Sequence, residues 1–133
     1  QSGPAVMERQ KQFNQLVQES AHVPADVPFL IIGDLNTDLY APEEYKAMLD
    51  IFKATDGSTE GEKYSYFNEN DLAKRFFGGE ASSSLDYILV RDNTQKISSI
   101  KRTIRKFTSV SFGTYKFNDL SDHYAITGEV VFK

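Results

Sequence analysis

Two short polar segments, each at the end of a predicted strand, carry side chains suited to catalysis. In Gly33-Asp34-Leu35-Asn36, a carboxylate and a carboxamide stand two residues apart, directly after the apolar run 29–32. Because glycine lets the chain turn without a Cβ clash, both side chains can face one cleft. The same four residues are equally typical of a turn in which Asp34 and Asn36 bond their own backbone.

The second segment, Ser121-Asp122-His123, stands directly before the last predicted strand. An imidazole accepts a proton near neutral pH, and the adjacent carboxylate can hold a metal or a second imidazole. His22, the other histidine, is predicted at the surface near the end of the first helix, where the helix dipole favours its charge. Taken alone, His123 fits a structural or surface role as well as a catalytic one.

Asp86 opens a strand, residues 85–90, that is otherwise apolar apart from a tyrosine. A charge at the buried end of a strand needs a partner, and His123 is a suitable one. The alternative is a carboxylate that only closes the turn before the strand. The residues alone leave both interpretations open.

The composition is typical of one globular domain, or of part of a larger one. The 133 residues include 15 basic and 19 acidic side chains, so the net charge is −4, and 40% of the residues are hydrophobic. This apolar content argues against global disorder, and the acidic balance argues against tight, non-specific binding of nucleic acid. No cysteine is present, which excludes a disulfide framework, a thiolate metal site and a cysteine nucleophile.

The apolar periodicity predicts two helices in the first part of the chain. One begins at Pro4 and extends to about residue 21, and the other begins at Pro42 and presents an apolar face up to Phe52. The run 29–32 predicts a strand buried on both faces, and 64–67 a short strand. The segments 56–62 and 68–84 are rich in turn residues and predict loops.

The rest of the chain is predicted to be mainly β-structure. Residues 85–90, 97–107 and 124–132 form the predicted strands, and residues 112–117 contribute to a hairpin. Basic residues lie at and among the isoleucines of the 97–107 strand, and we expect them on its solvated face: Lys96, Lys101, Arg102, Arg105 and Lys106.

The order of these segments resembles the endonuclease/exonuclease/phosphatase superfamily, whose members are metal-dependent phosphodiesterases and phosphatases. The resemblance rests on Gly33-Asp34-Leu35-Asn36, Leu85-Asp86-Tyr87-Ile88 and Ser121-Asp122-His123, and it extends from Phe29 to Val131. Within that superfamily, the segments 68–74 and 115–124 look most like neutral sphingomyelinases of the bacterial type, which are phospholipase C-like enzymes.

This resemblance implies an α/β fold, namely half of a four-layered α/β sandwich with a mixed, largely antiparallel sheet and flanking helices. Residues 1–133 would form the C-terminal half of a single domain, and the N-terminal half would be absent. The glutamate metal ligand and the first catalytic histidine of the family have no counterpart in this sequence. We therefore expect the chain to be inactive without the missing half.

The resemblance also implies residue roles. His123 would be the general base, with its imidazole fixed by Asp86. Asp34 would orient or help to deprotonate the attacking water, and Asn36 would bond a phosphoryl oxygen or hold Asp34 in place. Asp122 would lie on the other side of the scissile phosphate and position a second histidine or a metal-bound water.

A cofactor, partners and a location are implied in the same way. Mg²⁺ or another divalent cation would be held by Asp34, Asn36 and His123. The substrate would be a phospholipid at a membrane surface, with sphingomyelin hydrolysed to ceramide and phosphocholine by a secreted protein, and Phe112 would contact the membrane. The alternatives are a nuclease of the same superfamily, acting on nucleic acid, and a catalytically inactive interaction module.

Overall fold

Three α-helices and five strands form the part of the chain that the computed structural model describes, residues 3–79, 81–108, 113–114 and 116–133. Phe112, the predicted membrane contact, lies outside the described residues, as does residue 115 of the predicted hairpin 112–117. The elements in chain order are α1 (Pro4–Glu19), a 3₁₀ turn (Ser20–His22), β1 (Phe29–Asp34), α2 (Pro42–Phe52), β2 (Ser58–Gly61), α3 (Asp71–Phe77), β3 (Asp86–Arg91), β4 (Ile97–Arg105) and β5 (Ala125–Phe132).

The strands form two small sheets. β1 pairs with β3 in antiparallel orientation, and β4 lies between β2 and β5, parallel to the first and antiparallel to the second. With helices beside these sheets, the prediction of an α/β fold with largely antiparallel strands is confirmed. No helix among the described residues is long and apolar enough to cross a bilayer.

The main core lies between the helices and the β1–β3 sheet. Phe13 of α1 meets Phe52 of α2 with ring centroids 4.9 Å apart, and Met48, Tyr87 and Leu89 belong to the same buried cluster. Both helices begin with a proline at N1 or N2, where the missing N–H would have no intrahelical partner. Burial of each large side chain contributes about 1.5–3 kcal/mol, so this core fixes the sheet that carries the polar residues.

The second sheet covers only part of the opposite face of β1 and β3. The side chain of Ile88 lies against Gly128 of β5 so closely that a Cβ at that position would overlap it. The same side of β1 is not covered, and Ile32 is 66% exposed and Leu30 also exposed. The prediction that residues 29–32 are buried on both faces is therefore wrong for the described chain.

Two segments predicted as loops contain regular structure. Residues 58–61 form β2, because they pair in parallel with β4. Residues 71–77 form α3, whose first N–H groups are capped by the buried Asn70 side chain and whose end is marked by Gly78 in the left-handed region, with φ 78°. The predicted strand 64–67 is reduced to Tyr66, which makes isolated bridges to Ser83 and His123.

Arg102 is the exception to the predicted solvated face of β4, because it is fully buried, whereas Lys96, Arg105 and Lys106 are exposed and Lys101 is half-buried. Its guanidinium lies 3.1 Å from the buried Asp56 carboxylate, donates to Thr59 and to the backbone oxygen of Asp86, and stacks 4.6 Å from the centroid of the Tyr87 ring. A buried cation is tolerated only when it is paired and hydrogen-bonded in this way. The network therefore joins β2, β3 and β4 at the strand that carries Asp86.

Candidate active site

Three of the predicted site residues converge at one end of the β1–β3 sheet. Asp34 is the last residue of β1 and Asp86 the first of β3, and the antiparallel register places them directly opposite each other. His123 approaches from the loop that leads into β5. Ligand atoms of Asp34, Asp86 and His123 all lie within 4.8 Å of one another, although the residues are up to 89 positions apart in the sequence.

The imidazole of His123 lies between the two carboxylates. Nδ1 is 2.8 Å from Oδ2 of Asp86, and Nε2 is 3.9 Å from Oδ2 of Asp34. The first distance is a hydrogen bond, and the second is too long for a direct one. When Nδ1–H donates to Asp86, the neutral ring keeps its lone pair on Nε2, on the side of Asp34, where it can accept a proton.

The carboxylates raise the pKa of His123 above its ordinary value. The largest cause is the hydrogen bond to Asp86; burial of the ring opposes it, and the charges of Asp86, Asp34 and Asp122 add to it. A raised pKa makes the neutral imidazole a stronger proton acceptor. The same shift makes the fraction of neutral imidazole smaller at a given pH.

The Asp34-Leu35-Asn36 segment is a turn in which the Asp34 side chain bonds its own backbone, and one oxygen of the Asp34 carboxylate is left to take part in catalysis. The backbone N–H of Asn36 donates to Oδ1 of Asp34 at 2.8 Å, and Asn36 has a positive φ of 51°. Oδ2 of the same carboxylate is the atom that lies near His123. The local turn thus orients Asp34, and Asn36 itself is exposed beside it.

Asp122 is adjacent to His123 in the chain. Among the described residues, it is not part of the Asp34–Asp86–His123 cluster. Its Oδ1 accepts a hydrogen bond from the Ser121 hydroxyl at 3.3 Å, and the same hydroxyl oxygen accepts the backbone N–H of His123 at 3.3 Å. Asp122 is half-buried and acts on the imidazole through its charge.

Ser65 is a buried residue of the site that the sequence analysis did not identify. Its Oγ accepts the backbone N–H groups of Leu85 at 2.9 Å and of Asp86 at 3.3 Å, and its carbonyl accepts the N–H of Tyr124 at 2.7 Å. One residue therefore ties the backbone of Asp86 to that of the residue after His123. A lone serine between two tyrosines, in a segment predicted as a short strand, gives no sequence signal for this role.

Replacing Ser65 with alanine is expected to destabilise the chain by about 1–3 kcal/mol, because two backbone N–H groups lose a buried acceptor. Ser84→Ala is the matched control, since Ser84 is equally buried and its Oγ makes no hydrogen bond within the described residues. Urea unfolding of both variants measures the difference. Equal unfolding midpoints for the two variants would show that the hydrogen bonds of the Ser65 hydroxyl do not stabilise the folded chain.

The His123–Asp86 pair is expected to make the stability of the metal-free chain fall with rising pH. The folded pKa of His123 is raised, so the contribution of the pair is fully present below the ordinary histidine pKa of about 6.5 and is lost as the pH rises through the folded value. Asp86→Asn keeps an acceptor but removes the charge. Urea unfolding should show a smaller loss for this variant than for the wild type; equal losses would contradict the assignment.

A cleft of about 460 Å³ lies beside the His123–Asp86 pair. Its polar residues include Asp86 and His123, and its apolar wall includes Ile32, Phe107 and Leu120. Apolar walls with a few convergent polar groups are typical of small-molecule sites. The arrangement can therefore hold a reacting group against the imidazole.

Comparison with known proteins gives this site a context. No protein-family model matches the chain. Sphingomyelinase C from Listeria ivanovii is 26% identical over a match that covers 93% of this chain and 39% of the relative. The crystal structure of sphingomyelinase C from Streptomyces griseocarneus is 30% identical, with a TM-score of 0.76 over 93% of this chain and 46% of that one. The chain is similar to sphingomyelinase C in sequence and fold.

The likeness in fold extends to a further solved structure. A mutant of beta toxin from Staphylococcus aureus, crystallised with bound magnesium ions, has the same fold at 24% identity, with a TM-score of 0.82 over 95% of this chain and 46% of that one. The predicted resemblance to bacterial sphingomyelinases is thereby confirmed. The chain spans less than half the length of each of these three relatives.

Proposed function

We propose that this chain contributes part of the active site of a divalent-cation-dependent phosphodiesterase that hydrolyses sphingomyelin. The observation that carries the proposal is His123 held between Asp86 and Asp34, on a fold similar to sphingomyelinase C. In this proposal residues 1–133 are the C-terminal half of a single domain. The N-terminal half supplies the remaining metal ligand and a second histidine.

The chemistry of phosphodiester hydrolysis matches the groups present. A water oxygen attacks phosphorus as its proton passes to Nε2 of His123, the bond to the ceramide oxygen breaks, and that oxygen takes up a proton. The products are ceramide and phosphocholine. Asp86 stabilises the imidazolium that forms, because it already accepts the Nδ1 hydrogen bond.

The oxygen donors of the site fit a divalent cation. Asp34 offers Oδ2, and the exposed Asn36 carries a carboxamide two residues further along the same turn. Mg²⁺ prefers such oxygen ligands, and it uses one or two carboxylates together with water and substrate phosphate. A bound cation would supply positive charge to the phosphoryl oxygens in the transition state.

His123 was predicted to act both as the general base and as a metal ligand, but a single ring nitrogen would have to serve both roles. Nδ1 is engaged by Asp86, so only Nε2 is left either to hold a cation or to accept a proton. The preference of Mg²⁺ for oxygen favours the role of base. We therefore assign the cation to Asp34 and Asn36 and the proton to His123, with Asp122 orienting a group on the far side of the phosphate.

The isolated 133-residue chain is expected to release no phosphocholine from sphingomyelin, because it lacks the remaining ligand and histidine. Adding the N-terminal half, either as a second polypeptide or in the full-length protein, is expected to restore Mg²⁺-dependent release. Turnover by the isolated chain would contradict this part of the proposal.

A substrate comparison with the full-length protein tests the function. Sphingomyelin, an inositol phosphodiester and plasmid DNA are each incubated with the protein and Mg²⁺, with EDTA as the negative control. Release of phosphocholine that EDTA abolishes supports the proposal. Nicking of the plasmid supports the nuclease alternative, and a folded protein inactive on all three supports an interaction module.

The substrate is a membrane lipid, so we also propose that the protein works outside the cell, peripherally at a membrane.

A further inference from the structure

The end of α3 presents two neighbouring aromatic side chains to solvent. Phe76 and Phe77 are 63% and 59% exposed, among the highest values for large apolar residues in the described chain. The ring of Phe76 meets the ring of Phe117 with centroids 5.9 Å apart. We call Phe76, Phe77 and Phe117 the aromatic surface of α3.

Cations surround this surface. The Arg75 guanidinium lies 5.9 Å from the centroid of the Phe76 ring, and Lys116 is exposed next to Phe117 in the chain. Neither cation forms an ion pair among the described residues, whereas Lys74 is paired with Glu69 at 2.6 Å. Asp71, the acidic residue in the first turn of α3, is engaged by the N–H groups of residues 118 and 119. Arg75 and Lys116 carry two positive charges against the one negative charge of Asp71, so the net charge of these described side chains is positive.

The surface is held at a fixed position relative to the active site. Asn70, which caps α3, donates through Nδ2 to the carbonyl of Ser121 at 2.8 Å, and the backbone N–H of Asp71 donates to Asp119 at 3.0 Å. Both contacts reach the loop that leads into His123. A helix of seven residues is about 10 Å long, so the exposed rings lie close to that loop.

We propose that the aromatic surface of α3, together with Arg75 and Lys116, binds the interfacial layer of a phospholipid bilayer and holds the active site at its substrate. The proposal rests on the proposed function for the nature of that substrate. Aromatic rings settle at the level of the lipid headgroups while cations next to them meet phosphate oxygens. Aromatic residues and arginine are also enriched at protein interfaces, but lysine is depleted there, so Lys116 beside the rings favours a lipid surface.

Vesicle sedimentation tests the proposal without turnover. The full-length protein is mixed with vesicles of phosphatidylcholine and sphingomyelin in EDTA, which removes divalent cations. Phe76→Ala/Phe77→Ala is expected to lower the partition coefficient by about tenfold or more, because two rings no longer leave water. Phe132→Ala is the matched control, since Phe132 is 57% exposed at the end of β5, and it should bind as the wild type does.

A second variant tests the charge. Arg75→Glu leaves the rings in place and is expected to weaken binding at low salt, with a smaller difference from wild type at high salt. The proposal is overturned if the wild type does not bind vesicles, or if the double variant binds as well as Phe132→Ala. It is also overturned if the double substitution abolishes self-association or docking of the N-terminal half instead of lipid binding. Vesicle binding without sphingomyelin turnover would leave this proposal standing and refute the proposed function.

Discussion

Replacing His123 with alanine is expected to lower sphingomyelin turnover by the full-length protein by about 10²–10⁴-fold, the range typical of a lost general base. The reason is geometric: Nε2 is the one ring nitrogen not engaged by Asp86, and it lies on the side of Asp34. The measurement is kcat for phosphocholine release under saturating Mg²⁺. His22→Ala is the matched control, because His22 is exposed and its one hydrogen bond among the described residues is to the carbonyl of Glu19.

The result would speak against the assignment if His123→Ala kept activity within about tenfold of the wild type while His22→Ala behaved the same. Circular dichroism of both variants separates lost chemistry from lost structure. Asp86→Asn keeps an acceptor for Nδ1 and should retain the fold, so its lower rate reports the charge that Asp86 gives to the imidazolium.

Arg102→Ala is expected to destabilise the chain by about 3–5 kcal/mol, because it leaves Asp56 as a buried, unpaired charge. Arg105→Ala is the control on the same strand, since its side chain is exposed and, within the part of the chain that the structure describes, bonds the Thr127 hydroxyl alone. It should change stability by no more than about 0.5 kcal/mol. Urea unfolding at one pH measures both variants.

The buried pair also predicts a compensation. Arg102→Met combined with Asp56→Leu removes both charges, so the double variant should be more stable than Arg102→Ala alone. Burial and the neighbouring Asp56 raise the pKa of Tyr45 to about 12, and its hydroxyl donates to the Asp56 carboxylate. A double variant as unstable as Arg102→Ala would show that lost packing, and not the unpaired charge, dominates.

Long periodic elements were predictable from the sequence. Helix α2 begins at Pro42 and buries Met48 and Phe52, as its apolar spacing indicates, and strands β3, β4 and β5 lie within two residues of the predicted limits. These elements are governed by local preferences and by one continuous apolar face, which a sequence displays directly.

The elements that were missed depend on partners far along the chain. β2 is four exposed residues that become a strand only because β4, some 40 residues later, pairs with them. Arg102 is buried because its charge is paired with Asp56, which lies just before β2 and far from Arg102 in the sequence. Helix α3 has seven residues, too few to show a period, although Asn70 and Gly78 were available as its start and stop signals.

The candidate site was predictable in part. The argument that Asp86 needs a charged partner led to His123, and the structure places the two atoms 2.8 Å apart. The position of Asp34 against Nε2 depends on the β1–β3 register, which no local pattern shows. Ser65 acts through backbone groups, which every residue shares, so its place in the site required coordinates.

The central claim is that remote segments form one catalytic unit, and a double-variant cycle on sphingomyelin turnover tests it most directly. Asp34→Ala, His123→Ala and the combined variant are compared with the wild-type full-length protein in Mg²⁺. Groups that act as a unit give losses that do not multiply, so the combined variant should be about as slow as the slower single one. Losses that multiply in full, or a single variant with wild-type turnover, would contradict the shared centre.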